Sequence, residues 1–427
     1  MKQIISLAKY DVLFGGDVSY LDLSGVGSGV TEGGADWEGK SVVMPIGGTF
    51  RNLQLYSGDD SRQECTGTFV VNGVETDLTC TLAVDPATTA LDDTHEVTVD
   101  VGDLVVLKLA GTRPPDFEMG FSLEFEGEEQ FYASQRSDNM EPADEGERFA
   151  GALGNGFWVS VVGPGGGCNT HSIVAAPGTI TGIYVHSYLG PPDDGTLTVY
   201  IDKSPVDSDT FVKQDGTGDT INTGCVLDDT MSAAFESFNL PVVPGEKVQF
   251  VLVRNGTEIN VDIAASLTFT PDDDKSFMMV GGSNTNPGTY VWNATKGSST
   301  DILHAQTIVG PEGFIATGLY MEFAPPSFGT SYDYTLLKNG EPTAITLTIA
   351  YPDDRGFILL EEGAGVTFEP GDLITIASPD GSSGNLYWGL IGEHIDVVEE
   401  ELSTVLRSRP RWKLLALDME FRGEETS

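Results

Sequence analysis

Hydrophobic and polar residues alternate along most of the chain, in short runs that end at Gly, Pro, Asn or Asp. Two of the clearest runs are TFVVNGVETDLTCTL at 68–82 and VTVDVGDLVVLKL at 97–109. Alternation with a period of two gives a strand one apolar and one polar face, as in a half-buried antiparallel sheet. Many such runs without helical patterns between them are typical of a β-sandwich or barrel. The pattern therefore predicts an all-β chain.

The first of these runs returns late in the sequence. TLLKNGEPTAITLTI at 335–349 repeats it, and the two Asn-Gly pairs stand 267 positions apart. This distance fits two periods of about 133 residues, and LTVYIDKSPVDSDTFV at 197–212 occupies the middle place without an Asn-Gly pair. We predict three tandem antiparallel β-sandwich domains with a jelly-roll-like plan, at residues 1–144, 145–275 and 276–427.

Further landmarks follow the same period. A strand, a Gly-Asp or Gly-Glu turn and a second strand recur at 97–109, 240–253 and 366–378. An alternating strand is expected to close each copy, and the candidates are GFSLEFEGEE at 120–129, AASLTFTPDD at 264–273 and LALDMEFRGEE at 415–425. We interpret the acidic stretch at 126–148 as the linker after the first copy.

One segment near the C-terminus has a helical pattern. Acidic residues begin the segment 391–411, arginines end it, and Pro410 follows, an order that complements a helix dipole. Its apolar residues recur on one helical face: Ile395, Val398, Leu402, Val405 and Leu406. The sequence predicts one short helix here, inserted into the third copy before its last strand.

The Asn72-Gly73 pair predicts a two-residue type I′ hairpin. Direct pairing outward from this turn sets Cys65 opposite Cys80, within reach of a disulfide. Two buried free thiols are the alternative, because free cysteine is a common core residue. In the third copy the same pairing sets Tyr332 opposite Leu347. No such register supports a bond between Cys168 and Cys225, and no Cys or His spacing indicates a metal site.

The charge balance narrows the classes of partner. The chain has 22 Lys and Arg against 65 Asp and Glu, a formal net charge of −43. This argues against nucleic acid and anionic membranes as partners, because both need clustered basic residues. No run of about 18 apolar residues predicts a membrane span, and Ile4 to Ala8 is too short for a secretion signal. Such an acidic surface favours a saline, halophilic setting.

Candidate chemistry is sparse. The five histidines are scattered, and no nucleophile, zinc-protease or phosphate-loop motif occurs. Acidic pairs and triplets at 193–194, 272–274 and 353–354 offer oxygen ligands for Ca²⁺ or Na⁺, but Asp is equally common in turns. We therefore predict no catalytic residue, no cofactor and no metal site.

One basic cluster stands out in this acidic chain. Arg407, Arg409, Arg411 and Lys413 lie within eight positions in LRSRPRWK. We interpret them either as a docking patch for an acidic partner or as neutralisation of Glu399–Glu401 and of the preceding helix end.

The repeated hairpin in TFVVNGVETDLTCTL and YTLLKNGEPTAITLTI, with the turns of VTVDVGDLVVLKL and VTFEPGDLITI, resembles the small jelly-roll-like domains of virion structural proteins. These occur in tailed bacteriophages and archaeal tailed viruses. The resemblance covers most of the chain, and the second copy departs from it at the hairpin. It implies a non-enzymatic capsid decoration, turret, spike or tail component.

That resemblance also implies partners and a place. They are further copies of the chain in a homo-oligomer, the major capsid protein or other virion proteins, and a location on the virion surface after synthesis in the host cytoplasm. The alternative is a tail-fibre or surface adhesin that binds host glycans through exposed aromatic residues. Its candidates are Trp37, Trp158, Trp292, Trp388 and Trp412. A polysaccharide-degrading enzyme is the third hypothesis, and no site supports it.

Overall fold

The computed structural model is almost entirely β-structure. It describes residues 1–12, 18–21, 23, 37–57, 64–84, 89–111, 117–134, 148–153, 159–160, 171–188, 196–206, 208, 210–255, 263–285, 290–291, 298–299, 302, 306–324, 331–350, 353–378 and 384–395. Residues Met1–His394 form one compact unit. Within the described residues the named helix is a 3₁₀ turn at Glu38–Lys40, and no helix is long and apolar enough to span a bilayer.

The first group of strands forms sandwich 1. We call the sheet that contacts a neighbouring sandwich the inner sheet and the other one the outer sheet. The inner sheet has the order β1-β9-β4-β7, and the outer sheet has the order β2-β8-β5-β6 with β3 paired to β8. The strands are β1 (Lys2–Val12), β2 (Val18–Leu21), β3 (Val42–Val43), β4 (Gly48–Tyr56), β5 (Cys65–Val71), β6 (Val74–Leu82), β7 (Thr89–Val99), β8 (Leu104–Gly111) and β9 (Phe117–Gly127).

Sandwich 2 repeats this plan. The strands are β10 (Gln130–Ser134), β11 (Arg148–Gly151), β12 (Val159–Ser160), β13 (Ser172–Ile173), β14 (Gly178–Ser187), β15 (Thr196–Ser204), β16 (Val212–Lys213), β17 (Cys225–Leu227), β18 (Ala233–Val242), β19 (Lys247–Asn255) and β20 (Ile263–Pro271). Its inner sheet has the order β10-β20-β14-β18. Its outer sheet is β12-β11-β19-β15-β16, with β13 on β19 and β17 on β15.

Sandwich 3 repeats the plan again. The strands are β21 (Ser276–Thr285), β22 (Tyr290–Val291), β23 (Ser298–Ser299), β24 (Thr307–Ile308), β25 (Phe314–Ala324), β26 (Tyr332–Lys338), β27 (Glu341–Ile349), β28 (Arg355–Leu359), β29 (Val366–Phe368), β30 (Leu373–Ala377) and β31 (Gly384–Glu393). Its inner sheet is β21-β31-β25-β28 with β29 on β25, and its outer sheet is β23-β22-β30-β26-β27 with β24 on β30.

Each sandwich has its own apolar core between its two sheets. The three cores centre on Phe50 and Phe69 in sandwich 1, Ile183 and Phe250 in sandwich 2, and Phe314 and Tyr334 in sandwich 3. All the named strand pairs are antiparallel, as the alternating sequence pattern predicts. The expected class, an all-β chain of antiparallel β-sandwiches, is confirmed.

Both Asn-Gly hairpins have the expected turn but not the expected register. Asn72 and Gly73 have φ of 50° and 77°, and Asn339 and Gly340 have 54° and 81°, the double positive φ of a type I′ turn. A few residues on, a bulge shifts the pairing by two positions. The hydroxyl of Thr76 donates to the Phe69 carbonyl at 2.7 Å, and the Thr343 hydroxyl donates to that of Leu336 at 2.8 Å. These bonds fix the bulge in both copies.

The bulge corrects the cysteine pairing. Cys65 lies opposite Leu82 and Cys80 lies opposite Gly67, so the predicted direct pairing was wrong by two residues. A shift of two keeps both side chains on the core face. Both are buried free thiols in the structure, and burial raises the pKa of each to about 12. For the same reason Tyr332 lies opposite Ile349 rather than Leu347.

The hairpin asparagine joins the two repeated motifs. The Asn72 amide donates to the Asp103 carboxylate at 2.7 Å, and its carbonyl oxygen accepts from the Leu104 backbone at 2.9 Å. Asn339 makes the same bonds to Asp372 and Leu373, at 2.6 and 2.8 Å. The Asn-Gly pair and the Gly-Asp turn recur together because they form one hydrogen-bonded corner.

Three expectations about segments need correction or fall outside the described residues. The strand that pairs with β25, as β9 pairs with β4, is β31 at 384–393, whereas residues 415–425, expected as this strand, lie outside the described residues. Residues 130–134, expected within a linker, form β10 and pair with β20. Residues 391–393 belong to β31, and the rest of the expected helix beyond Ile395 lies outside the described residues. The domain boundaries at 144 and 275 stay predictions.

We predict that Asn339→Ala lowers the free energy of unfolding by about 2 kcal/mol. The change removes two hydrogen bonds and puts alanine at a positive φ, which alanine adopts less readily than asparagine. Denaturant unfolding followed by tryptophan fluorescence measures the change. The exposed neighbour in the same turn, Glu341→Ala, is the control and should stay within about 0.5 kcal/mol of the parent. Equal losses for the two variants would contradict the role of the corner.

Candidate functional site

The candidate site is the set of interfaces among the three sandwiches. At each interface, a short strand of one sandwich packs on the inner sheet of the next sandwich. β3 packs on β10, β14 and β20, β13 packs on β21, β25 and β31, and β24 packs on β1, β4 and β9. Sandwich 1 thus docks on 2, 2 on 3, and 3 on 1. Equivalent surfaces meet in each case, so the three sandwiches form a closed ring with approximate three-fold symmetry.

Small residues on the inner sheets allow this close approach. At equivalent register positions stand Ser122, Ser266 and Gly389, opposite Gln54, Tyr184 and Tyr320. A Cβ on Gly389 would lie 2.9 Å from the Ala175 Cβ of sandwich 2, and one on Gly310 would lie 2.9 Å from the Ser122 Oγ of sandwich 1. The inner sheets are therefore covered on both faces, which explains the nearly continuous burial along β20.

A second ring of contacts lies along the first strand of each inner sheet. Ile4, Phe131 and Met278 occupy equivalent register positions. Each packs into a core other than that of its own sandwich: Ile4 into core 3, Phe131 into core 1 and Met278 into core 2. Burying a side chain of this size stabilises a protein by about 1.5–3 kcal/mol. Because each of these residues is buried in a neighbour's core, the stability of each sandwich depends on the next.

Hydrogen bonds follow the same path. The Gln3 side-chain amide makes two hydrogen bonds to the Phe131 backbone. It donates to the carbonyl at 2.8 Å and accepts from the N–H at 3.0 Å. Gln130 donates to the Ser276 carbonyl at 2.5 Å, and the Tyr132 hydroxyl accepts from the Met278 N–H at 3.1 Å. His394 Nε2 lies 2.9 Å from the Lys2 carbonyl and closes the circle.

A buried charge cluster lies where sandwich 2 meets sandwich 3. Lys247 Nζ is 3.2 Å from Glu322 Oε1, and the two side chains are 1% and 6% exposed. His171 Nε2 is 3.5 Å from the same oxygen. Burial alone would raise the pKa of Glu322, but the His171 hydrogen bond and the charges of His171 and Lys247 outweigh it, so this pKa is lowered. Glu322 is therefore an ionised partner inside the interface.

The interface of sandwich 3 with sandwich 1 contains a partly exposed cluster of ion pairs. Lys2 Nζ lies 2.8 Å from Glu312, and Arg51 lies 3.4 Å from the same residue. Arg51 also approaches the buried Glu124 at 3.5 Å. Burial and the neighbouring Glu312 charge raise the pKa of Glu124. Arg51 thus partly compensates two carboxylates that the ring brings together.

A cavity of about 630 Å³ opens beside the Lys247–Glu322 pair. Ile173, Val206 and Gly245 of sandwich 2 form one wall. Sandwich 3 supplies the opposite wall, made of Tyr320, Met321, Glu322, Thr348, Asp353, Asp354, Arg355, Gly356 and Phe357. Arg355 crosses between the walls, with Nη1 donating to the Val206 carbonyl at 2.5 Å and Nε to Asp354 at 2.8 Å.

Exposed apolar residues recur at one position on the edge strands of the inner sheets. Leu91 on β7, Phe235 on β18 and Phe357 on β28 pair with Gln54, Tyr184 and Tyr320, and they are 43%, 44% and 62% exposed. The tyrosine and phenylalanine rings are stacked in sandwich 3, with centroids 5.4 Å apart and an interplanar angle of 14°. In sandwich 2 they are 6.2 Å apart and tilted by 41°.

The sequence expectations about sites have mixed outcomes. Arg407, Arg409, Arg411 and Lys413 lie outside the described residues, so the docking patch stays a prediction. Of the acidic turn clusters, 353–354 lines the cavity, and 272–274 is an exposed turn closed by the Lys275 N–H on Asp273. Among the described residues, no three His, Cys, Asp or Glu side chains gather as metal ligands.

The ring and its cavity are features that sequence reasoning missed. The signal for the ring was a few small residues at positions that face away from the core, namely Ala264 and Ser266 in AASLTF and Gly389 in YWGLIG. Phe357 belongs to RGFILL, a run that gives no indication that its ring stacks on Tyr320.

Comparison with known proteins adds little to this geometry. The sequence matches no protein-family model and no curated protein. A crystal structure of the STIV MCP shares 10% identity over 64% of this chain and 98% of that chain, with a TM-score of 0.22. An atomic structure of Sulfolobus Turreted Icosahedral Virus shares 9% over 82% and 79%, with a TM-score of 0.18.

A third structure, described as a triple jelly roll fold and turret assembly in an archaeal virus, shares 8% identity over 83% of this chain and 81% of that chain, with a TM-score of 0.18. TM-scores this low carry no argument about this chain.

We predict that Lys247→Met destabilises the protein by about 3–5 kcal/mol, because it leaves the Glu322 carboxylate buried beside fewer positive charges. Adding Glu322→Leu to this variant should recover at least half of the loss, since the unpaired charge is then absent. Thermal and denaturant unfolding of both variants measure this. A double variant as unstable as Lys247→Met alone would contradict the assignment of the pair.

We predict that lowering the pH from 7 to 5 destabilises the ring partly through His394. Burial lowers the pKa of His394 and of His186 below the usual value, so the unfolded chain binds these protons more readily than the folded chain. Their stabilisation is complete above about pH 6.5 and is lost as the pH falls below it. His394→Gln keeps a donor for the Lys2 carbonyl and cannot titrate, so its unfolding free energy should fall less than that of the parent over this range. An unchanged pH dependence would contradict this.

Proposed function

We propose that the protein is a non-enzymatic virion structural protein, a decoration, turret or spike component on the particle surface. The observation that carries the proposal is the closed ring. Three sandwiches of a single chain meet through buried, hydrogen-bonded contacts and form one compact block. A block of this kind suits a protein whose task is to occupy a fixed place in an assembly.

The chemistry of the described residues is consistent with this proposal. Polar groups that the fold brings together in the interior, such as Lys247 with Glu322 and Gln3 with Phe131, serve contacts between sandwiches. The described histidines stand apart from one another. His95 is half exposed and pairs with Asp92 at 3.0 Å, whereas His171 and His394 lie in separate interfaces.

The surface supports association with further copies and with other virion proteins. The edge strands β7 and β18 of the inner sheets carry Leu91 and Phe235 with their apolar side chains exposed. Unpaired strand edges and recurring apolar residues are features that proteins use or protect in assembly. We propose a homo-oligomer that attaches to a major capsid protein or another virion protein, on a capsid or a tail, in a saline host.

A surface adhesin that binds host glycans is the second candidate. The tryptophans give it little support among the described residues, because Trp388 is buried in core 3 and Trp37 packs against Gly73 of the hairpin. The stacked Tyr320–Phe357 pair at the cavity is the observation that favours this candidate.

We predict that the purified chain forms a symmetric homo-oligomer in molar NaCl. Mass photometry and negative-stain electron microscopy measure its mass and symmetry. Co-sedimentation with virus particles from the natural host, identified by mass spectrometry, tests the proposed location. A monomer that is absent from purified particles would contradict the proposal. A double variant on free edges, Leu91→Lys with Phe235→Lys, should weaken the oligomer, and the exposed hairpin change Val74→Lys is its control.

A further inference from the structure

We propose that the cavity between sandwiches 2 and 3 binds a neutral pyranose sugar. Its volume of about 630 Å³ lies within the range of sites for small ligands. Two different sandwiches line it, so the closed ring, rather than one sandwich, creates the site.

The apolar part of the site is a ring platform. Phe357 stacks on Tyr320 at 5.4 Å, yet Phe357 remains 62% exposed while Tyr320 is only 8% exposed. One face of the Phe357 ring is therefore supported from behind and the other remains accessible. An aromatic face is electron-rich and attracts weakly positive C–H groups, which one face of a pyranose ring presents.

The polar part of the site suits hydroxyl groups. Asp353, Asp354, Arg355 and Thr348 lie around the same cavity. Asp354 and Arg355 are bonded to each other, and the Thr348 hydroxyl donates to Asp333. A carboxylate accepts two hydrogen bonds side by side, so the exposed Asp353 is the group that matches a pair of neighbouring hydroxyls. Polar groups beside an aromatic platform hold such a ligand by its edge while the platform holds its face.

The charges of the lining favour a neutral ligand. The Glu322 carboxylate is paired with Lys247, and that of Asp354 is paired with Arg355. Asp353 would repel an anion. A hydroxyl-rich neutral ligand can donate hydrogen bonds to Asp353 without displacing either ion pair, and tetramethylammonium tests the cationic alternative.

The approximate symmetry provides an internal comparison. The positions equivalent to Tyr320 and Phe357 are Gln54 and Leu91 in sandwich 1, which lack an aromatic pair. In sandwich 2 they are Tyr184 and Phe235, whose rings are tilted and 6.2 Å apart. A supported, open platform thus occurs at one of three equivalent positions, as expected for a ligand site rather than a general feature of the fold.

Saturation-transfer NMR on the full chain in molar NaCl tests the site. The probes are methyl glycosides of glucose, galactose, mannose and N-acetylglucosamine, with tetramethylammonium as the cationic comparison. We expect transfer to the ring C–H protons of at least one glycoside. Its affinity should fall at least tenfold in Phe357→Ala and in Asp353→Asn, and should be unchanged in the matched control Phe235→Ala.

Three results would overturn the proposal. They are no transfer to any glycoside in the parent protein, equal binding by the parent and Phe357→Ala, and Phe357-dependent binding of tetramethylammonium alone. Both substituted residues are exposed, and unfolding curves of the variants check that the fold is kept. Binding is measured on the isolated chain, so the outcome is independent of whether the chain assembles on a particle.

Discussion

The structure depends on covering each inner sheet from both sides. One face packs on the core of its own sandwich, and the other receives the short strand and turn of a neighbour. Ser122, Ser266 and Gly389 make this second contact close, because a larger side chain at these central positions would hold the neighbour away. The dense contact that results stabilises the fold through dispersion and the burial of apolar surface.

Much of the local structure could be predicted from the sequence, because it depends on near neighbours. The type I′ turns at Asn72 and Asn339 need two residues with positive φ, and Asn-Gly supplies them. The bulge was missed because it depends on the hydroxyl of Thr76 reaching back to Phe69, which simple pairing does not include. The segment 415–425 alternates as regularly as 384–393, so periodicity alone could not decide which of them pairs with β25.

Long-range features escaped prediction for a different reason. Ile4, Phe131 and Met278 look like ordinary core residues, and nothing local indicates that each serves another sandwich. The same holds for Lys247 and Glu322, which are 75 positions apart and meet only after two sandwiches dock. The acidity of the chain, visible at once, describes its outside, whereas the few basic residues that enter the interior make specific contacts there.

The closed ring within one covalent chain has a consequence for how such a protein can change. A ring of three separate, identical subunits has one interface in three copies, so every substitution alters all three together. Here each interface has its own residues, and the linked chain keeps the partners at high effective concentration. One interface can therefore exchange some packing for an open space or a buried charge while the other two hold the block together. The junction of sandwiches 2 and 3 holds both a buried charge pair and an open space.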